Sequence, residues 1–157
     1  MLIVGCGCRG RELGGELMGL GWQVRGTSRR EEGLEAIGAA GFEPALADPD
    51  RPGTVLELCG DVAVVVWLLG SAEGDATAAI HGPRLESLLE KLVDSPVRGF
   101  AYESVGAVSV ETLSEGARIV EGAGETWRIP VTTLGEDRGE TGWAVRAAAA
   151  VAGLLTR

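Results

Sequence analysis

The sequence contains a single lysine (Lys91), a single histidine (His81) and a single tyrosine (Tyr102) among its 157 residues. Chemistry that needs an amine, an imidazole or a phenol therefore has one possible carrier for each group. The three cysteines form no Cys-x-x-Cys pair and no even set, so neither a disulfide framework nor a zinc site is expected. Such sparse cysteine use is typical of a reducing compartment, and we expect a cytoplasmic protein.

Long apolar runs and excess positive charge are also missing. The longest apolar run, Val62 to Leu69, is far too short to cross a bilayer, and the first residues lack the basic segment and long apolar core of a signal peptide. The formal net charge is −9. Because nucleic acids and anionic membranes attract basic surfaces, we expect neither as a partner.

Short apolar runs alternate with helical patterns along the whole chain, which is predicted to be one domain, residues 1–157. Strands are predicted at Leu2–Val4, Trp22–Arg25, Glu43–Leu46, Val62–Leu68, Val97–Tyr102 and Ile129–Thr133. Helices are predicted near Arg9–Leu20, Arg30–Ala40, Gly53–Cys59, Arg84–Val93, Glu111–Gly122 and Trp143–Leu155. The fourth strand is apolar throughout, which is typical of a parallel sheet covered on both faces. We therefore predict an α/β Rossmann fold, a doubly wound parallel sheet of six strands in the order 3-2-1-4-5-6.

A glycine-rich turn joins the first strand to the first helix, where Gly5-Cys6-Gly7-Cys8-Arg9-Gly10 is a complete G-x-G-x-x-G. Gly5 is expected to form the tight turn, Gly7 to let the backbone approach a pyrophosphate, and Gly10 to let the helix pack on the strand. The free N–H groups at the helix start, including those of Cys8 and Arg9, favour phosphate binding. The alternative is a glycine-rich turn that serves tight packing alone.

The end of the second strand distinguishes between the two nicotinamide cofactors. An NAD site usually has an acidic residue there, about 20 residues after the glycines, that holds the ribose 2′-hydroxyl. This chain has Thr27, Ser28, Arg29 and Arg30, with no acid before Glu31. Arginines and a hydroxyl suit a 2′-phosphate, so the sequence predicts NADP(H) in preference to NAD(H). The alternative is a solvated, basic first turn of the second helix.

Three further residues complete the predicted cofactor site. Asp48 follows the third strand and can accept a hydrogen bond from the adenine amino group, or it can cap the helix after Pro52. Leu69 and Gly70 follow the fourth strand, at the edge of the sheet where the cofactor crevice is expected.

From Met1 to about Gly70 the chain resembles the atypical and extended short-chain dehydrogenase/reductase superfamily, and within it the NAD-dependent epimerase/dehydratase-like subgroup. The resemblance rests on the glycine turn, on residues Gly21–Arg29 and on residues Asp61–Val66. Family members usually space these glycines G-x-x-G-x-x-G, so Gly7 fits a variant of the atypical members. After the fifth strand, the resemblance implies that Ser104 polarises an oxygen of a small-molecule substrate.

The catalytic Tyr-x-x-x-Lys of that family is missing. In the family the tyrosine transfers a proton and the lysine lowers its pKa. Here Lys91 precedes Tyr102 by eleven residues, so the pair exists nowhere in the chain. Because alternate strand residues share a face, Tyr102 and Ser104 are the candidate catalytic residues, both directed toward the nicotinamide end. The chain ends soon after the sixth strand, so no substrate-binding extension is expected.

Two functions therefore remain open. One is an NADP-dependent oxidoreductase or epimerase with a non-standard site around Ser104 and Glu103, to which His81 can contribute as a general acid. The other is a non-catalytic NADP(H)-sensing regulator that acts through a protein partner. His81 can equally be a loop or helix-capping residue, and Glu103 a solvent-facing carboxylate.

Three other features allow more than one interpretation. Cys6 and Cys8 flank Gly7, where the helix dipole favours a thiolate, or they are small filler residues. Residues 136–140 are predicted to form a solvated loop. Apolar positions in the last helix indicate either a core face or a homodimer face: Trp143, Val145, Val151, Leu154 and Leu155.

Overall fold

Six parallel strands form one sheet in the order β3-β2-β1-β4-β5-β6, which confirms the predicted fold. The computed structural model describes residues 1–156. The strands are β1 (Leu2–Val4), β2 (Arg25–Ser28), β3 (Glu43–Leu46), β4 (Val64–Trp67), β5 (Gly99–Glu103) and β6 (Val131–Leu134). All but β2 lie within two residues of their predicted bounds.

The helices are α1 (Cys8–Gly19), α2 (Glu31–Ala39), α3 (Pro52–Leu56), α4 (Thr77–Ile80), α5 (Pro83–Leu92), α6 (Val110–Trp127) and α7 (Trp143–Gly153), which a 3₁₀ turn (Leu154–Thr156) extends. The sequence patterns did not predict α4, and α6 continues to Trp127 instead of ending at Gly122. Among residues 1–156, no helix combines the length and the apolar character that a membrane span requires.

Helices cover both faces of the sheet, and β4 shows this most directly. All four of its residues are buried. Val64 and Val66 belong to one apolar cluster, with side chains of α1 and α7. Val65 and Trp67 belong to the other, with side chains of α5. A parallel strand that is buried on both faces requires the continuous apolar run that the sequence contains.

The second strand is the one strand whose predicted position, Trp22–Arg25, was wrong. The strand instead begins at Arg25, which pairs with Leu2 of β1. A Cβ atom on Gly26 would lie 2.7 Å from the Cys6 Sγ atom, so this strand needs a glycine where it passes the glycine turn. The shift of three residues brings Thr27 and Ser28 to the carboxyl edge of the sheet.

The last helix packs against the first, and both belong to the same apolar cluster. Of the five apolar positions predicted to be either core or dimer face, Trp143, Val151 and Leu154 are buried, and Leu155 is partly buried. Val145 is 56% exposed. This side of α7 is therefore mainly core.

Candidate functional site

A cleft of about 320 Å³ opens at the carboxyl ends of β1, β2 and β4. It is lined by residues from the glycine turn, from the end of β2 and from the segments after β3, β4 and β6. These include Gly5, Cys6, Gly7, Arg11, Thr27, Ser28, Arg29, Arg30, Ala47, Pro49, Leu69, Ser71, Glu73 and Arg138. Seven of the twelve predicted cofactor residues line this cleft. The other five are close in sequence to residues that line it: Cys8, Arg9, Gly10, Asp48 and Gly70.

The structure gives a packing reason for two of the three glycines of the turn, and it leaves open space beside the third. Gly5 has a φ of +85°, and a Cβ atom there would lie 2.5 Å from the Leu68 carbonyl oxygen. A Cβ atom on Gly10 would lie 3.2 Å from the Gly5 carbonyl oxygen, so this glycine lets α1 approach β1. A Cβ atom on Gly7 would meet no heavy atom within 4 Å. The turn is therefore closed on the protein side and open on the cleft side.

The N-terminus of α1 offers free hydrogen-bond donors to the cleft. Gly7 is the N-cap residue, and no side chain caps the helix. Within residues 1–156, the backbone N–H groups of Cys8, Arg9 and Gly10 have no acceptor. Buried Thr27 holds the turn from β2, because its carbonyl oxygen accepts from the Cys6 N–H at 3.2 Å. Free amide donors at a helix start favour an anion such as a phosphate.

The two cysteines of the turn have different environments. Cys6 is buried, and burial raises the pKa of its thiol to about 11, which the nearby Arg11 guanidinium only partly opposes. Its sulfur packs against Gly10 and Gly26. Cys6 is therefore a thiol that fills space, as the second of the two interpretations holds. Cys8 is exposed.

The end of β2 presents two unpaired arginines. Arg29 and Arg30 are exposed, and neither forms an ion pair or a side-chain hydrogen bond within the described residues. At the last residue of β2, the Ser28 hydroxyl accepts a hydrogen bond from the Arg30 N–H at 3.1 Å. Gly33 of α2 leaves room for that hydroxyl, since a Cβ atom there would collide with it. The first acids, Glu31 and Glu32, lie in the first turn of α2.

Sequence reasoning missed a third cation in the cleft. Arg11 is half-buried in the first turn of α1 and forms no ion pair within residues 1–156. The sequence contained a signal for this residue, because Arg11 directly follows Gly10, the last glycine of the turn. With Arg29 and Arg30, it makes this end of the cleft positive.

Asp48 is not the N-cap of the next helix, because Arg51 occupies that position. Its carboxylate accepts a hydrogen bond from the Asp50 N–H at 2.9 Å, which is a local turn. The residues on either side, Ala47 and Pro49, line the cleft.

The segment after β4 lies tightly against the segment after β5. Leu69 lines the cleft, whereas Gly70 is buried. A Cβ atom on Gly70 would lie 2.6 Å from a carboxylate oxygen of Glu103. Only glycine fits at this position.

Tyr102 lies inside the protein, on the face of β5 that α5 and α6 cover. It is fully buried, and its hydroxyl lies 2.7 Å from Nδ1 of His81. The other ring nitrogen, Nε2, lies 2.9 Å from the Leu69 carbonyl oxygen. A carbonyl oxygen only accepts, so Nε2 carries the proton and Nδ1 accepts from the tyrosine hydroxyl. Neither side chain lines the cleft.

Burial shifts the pKa values of this pair in opposite directions. The pKa of His81 lies below its usual value because burial disfavours the charged ring, although the bond to Leu69 opposes this. The pKa of Tyr102 lies above its usual value, chiefly because of burial and also because of the neighbouring Glu103 charge. His81 is also the C-cap residue of α4, in agreement with the helix-capping alternative.

The structure does not bring Ser104 together with Tyr102. β5 ends at Glu103, and Ser104 turns toward β6, where its hydroxyl donates to the Leu134 carbonyl oxygen at 3.5 Å. The Tyr102 hydroxyl points instead toward His81 and Leu113. The expected shared face for these two residues is therefore not formed.

The alternative of a solvent-facing Glu103 was wrong, whereas the loop at residues 136–140 is exposed as predicted, except at Arg138, which is partly buried. Glu103 is not a solvent-facing carboxylate, because it is 1% exposed. Arg138 is not fully solvated, because its guanidinium folds back and pairs with that carboxylate. Arg138 also lines the cleft. A partner 35 residues away in the chain leaves no periodic signal in a sequence.

No protein-family model and no curated protein matches the sequence. Solved structures do match. Triphenylmethane reductase of Citrobacter sp., complexed with NADP(H), is 19% identical, with a TM-score of 0.66 over 85% of this chain and 48% of that chain. The NADPH-dependent quinone oxidoreductase of Escherichia coli, complexed with NADPH, is 20% identical, with a TM-score of 0.66 over 85% and 47%.

A third match is the UDP-glucuronic acid 4-epimerase of Bacillus cereus, in complex with NAD. It is 16% identical, with a TM-score of 0.64 over 84% of this chain and 54% of that chain. The chain thus spans about half the length of each of these proteins. At these identities the likeness shows a shared fold, that of NAD(P)-binding reductases and epimerases.

Proposed function

We propose that this protein binds NADP(H) in the cleft at the carboxyl ends of β1, β2 and β4. The observation that carries the proposal is the glycine turn. Gly7 leaves open space beside three free N–H donors at the start of α1, which is the arrangement that a dinucleotide pyrophosphate needs. Two of the matched structures contain NADP(H) or NADPH in the same fold, which supports a nicotinamide cofactor.

The preference for NADP(H) rests on the charges beside the end of β2. Arg29 and Arg30 are free to bind a 2′-phosphate, and Arg11 adds a third positive charge to the same cleft. A guanidinium group can form two parallel hydrogen bonds to the oxygens of one phosphate, and the opposite charges strengthen each bond. The carboxylate that lines the cleft, Glu73, follows β4 and not β2. A ribose 2′-hydroxyl would find no acidic acceptor at the position where NAD sites provide one.

A second candidate function is NADP(H) sensing without catalysis, through a protein partner. The burial of Tyr102 and His81 favours it, because neither hydroxyl nor imidazole can reach a substrate in the cleft. Within the described residues, the Ser104 hydroxyl is hydrogen-bonded to the Leu134 carbonyl oxygen, which is not a group that can exchange a proton with a substrate. The rival remains an oxidoreductase or epimerase in which Ser104 and Glu103 form a non-standard site.

Two measurements test these functions. Calorimetric titration should give a dissociation constant for NADPH at least about tenfold below that for NADH, the effect of one phosphate fork. Equal or tighter NADH binding contradicts the preference. A screen of carbonyl substrates with NADPH should then give no turnover. Turnover that disappears in Tyr102→Phe, at unchanged NADPH affinity, would contradict the sensing role. Turnover that survives both Tyr102→Phe and Ser104→Ala would require a different site.

A further inference from the structure

Arg138 reaches from the loop between β6 and α7 to a buried carboxylate at the end of β5. Its Nε donates to Glu103 Oε2 at 3.1 Å, and its Nη2 donates to both carboxylate oxygens. The Glu103 side chain is 1% exposed, whereas that of Arg138 is 26% exposed. The carboxylate thus holds one edge of the guanidinium and leaves the other edge outward.

The carboxylate is itself fixed by the end of β4. Glu103 Oε1 accepts a hydrogen bond from the Gly70 N–H at 2.7 Å. Because a side chain at Gly70 would collide with this carboxylate, the contact depends on that glycine. Three neighbouring strand ends, those of β4, β5 and β6, therefore determine where the Arg138 guanidinium lies. Because the Arg138 side chain is already oriented, it loses less conformational entropy when a ligand binds.

The Arg138 side chain lines the proposed nucleotide cleft. Nη1 forms no hydrogen bond within residues 1–156, and the side chain lines the cleft together with Gly5 and Gly7. Arg29 and Arg30 reach the same cleft from β2, on the other half of the sheet. The phosphate turn therefore has cations on both sides. On the Arg138 side, the guanidinium also separates the negative charge of Glu103 from the cleft.

From this arrangement we propose that Arg138 binds the diphosphate of the dinucleotide through Nη1, and that Glu103 is its positioning residue. The proposal rests on the proposed function. It assigns the two groups of arginines different roles, because Arg29 and Arg30 distinguish NADPH from NADH, whereas Arg138 binds the part that both nucleotides share.

The test is the Arg138→Gln variant, titrated with NADPH, with NADH and with adenosine 2′-monophosphate as a competitor. We expect the affinities for NADPH and NADH to fall by the same factor, about tenfold or more for one charge-assisted hydrogen bond. The affinity for adenosine 2′-monophosphate, which lacks the diphosphate, should not change. Arg118→Gln, which removes the arginine of an exposed ion pair on α6, is the matched control.

Two more variants separate binding from folding. Arg138→Gln leaves a buried, unpaired carboxylate, so the double variant Glu103→Gln/Arg138→Gln removes that charge as well. It should fold and still bind both nucleotides about tenfold more weakly. Glu103→Gln alone should reduce the affinity for both nucleotides less than Arg138→Gln does. Arg138→Lys should retain part of the affinity that Arg138→Gln loses.

Three results would overturn the proposal. They are a folded double variant with wild-type affinities, a loss confined to NADPH, and a parallel loss for adenosine 2′-monophosphate. A wild-type protein that binds neither nucleotide overturns the proposed function too, whereas the first three results leave it standing.

Discussion

Replacing Gly7 with valine should separate nucleotide binding from folding. Gly7 has a φ of −80°, which any residue adopts, and a Cβ atom there meets nothing within 4 Å. The remaining cost is the replacement of glycine by an apolar residue at an N-cap position, about 1 kcal/mol or less in the free energy of unfolding. The variant should therefore fold as the wild type does.

Nucleotide binding should be lost, because the valine side chain fills the space between the cleft and the free N–H groups of Cys8, Arg9 and Gly10. Two charge-assisted hydrogen bonds to phosphate, at about 1.5 kcal/mol each, contribute about 3 kcal/mol. The dissociation constant for NADPH should rise about a hundredfold, at roughly 1.4 kcal/mol for each tenfold change.

The assay is calorimetric titration with NADPH, paired with thermal unfolding followed by circular dichroism. Gly15→Val is the matched control, because this glycine lies on the same helix and a Cβ atom there is also free of contacts. It should bind NADPH as the wild type does. A Gly7→Val variant that is folded and retains wild-type affinity would refute the placement of the diphosphate.

Arg29→Ala should remove most of the preference for NADPH over NADH, measured as the ratio of the two dissociation constants, whereas Arg98→Ala, an exposed arginine elsewhere, should leave that ratio unchanged. Tyr102→Phe should lower the free energy of unfolding by about 1–3 kcal/mol in urea denaturation, because His81 Nδ1 then lacks its buried donor; an unchanged midpoint would argue against that hydrogen bond. His81 should make the protein less stable as the pH falls below 6.5, its ordinary pKa, since the unfolded chain takes up the proton before the folded one does. The His81→Gln variant should show a shallower fall between pH 7 and 5, and an equal slope would exclude this histidine as the cause.

The fold was largely predictable because its signals are local. The apolar run in β4 and the glycines of the first turn each act through neighbouring residues. β2 was misplaced because its own residues are polar or small, and its position depends on Gly26 fitting beneath Cys6. That requirement comes from the packing of two strands, which a single sequence does not display.

The candidate site was predictable only in part, for the same reason. The glycine turn and the end of β2 are contiguous segments, and the structure brings them into one cleft. The partnership of Glu103 with Arg138, and that of Tyr102 with His81, connect residues 35 and 21 positions apart. The local pattern predicted that Tyr102 and Ser104 share a face at the cofactor, but both faces of β5 are buried, and α5 and α6 cover the face that contains Tyr102.

The contact between α1 and α7 has a consequence for biosynthesis. The helix that begins at the glycine turn is made well before the helix that packs against it, which contains Trp143 and Val151. β1 likewise pairs with β4, which is more than 60 residues away. A nascent chain therefore carries the complete glycine turn long before α1 has its neighbours, and long-range contacts of this kind are slow to form. We expect a ribosome-bound chain to gain affinity for the dinucleotide only after residue 151 has left the exit tunnel.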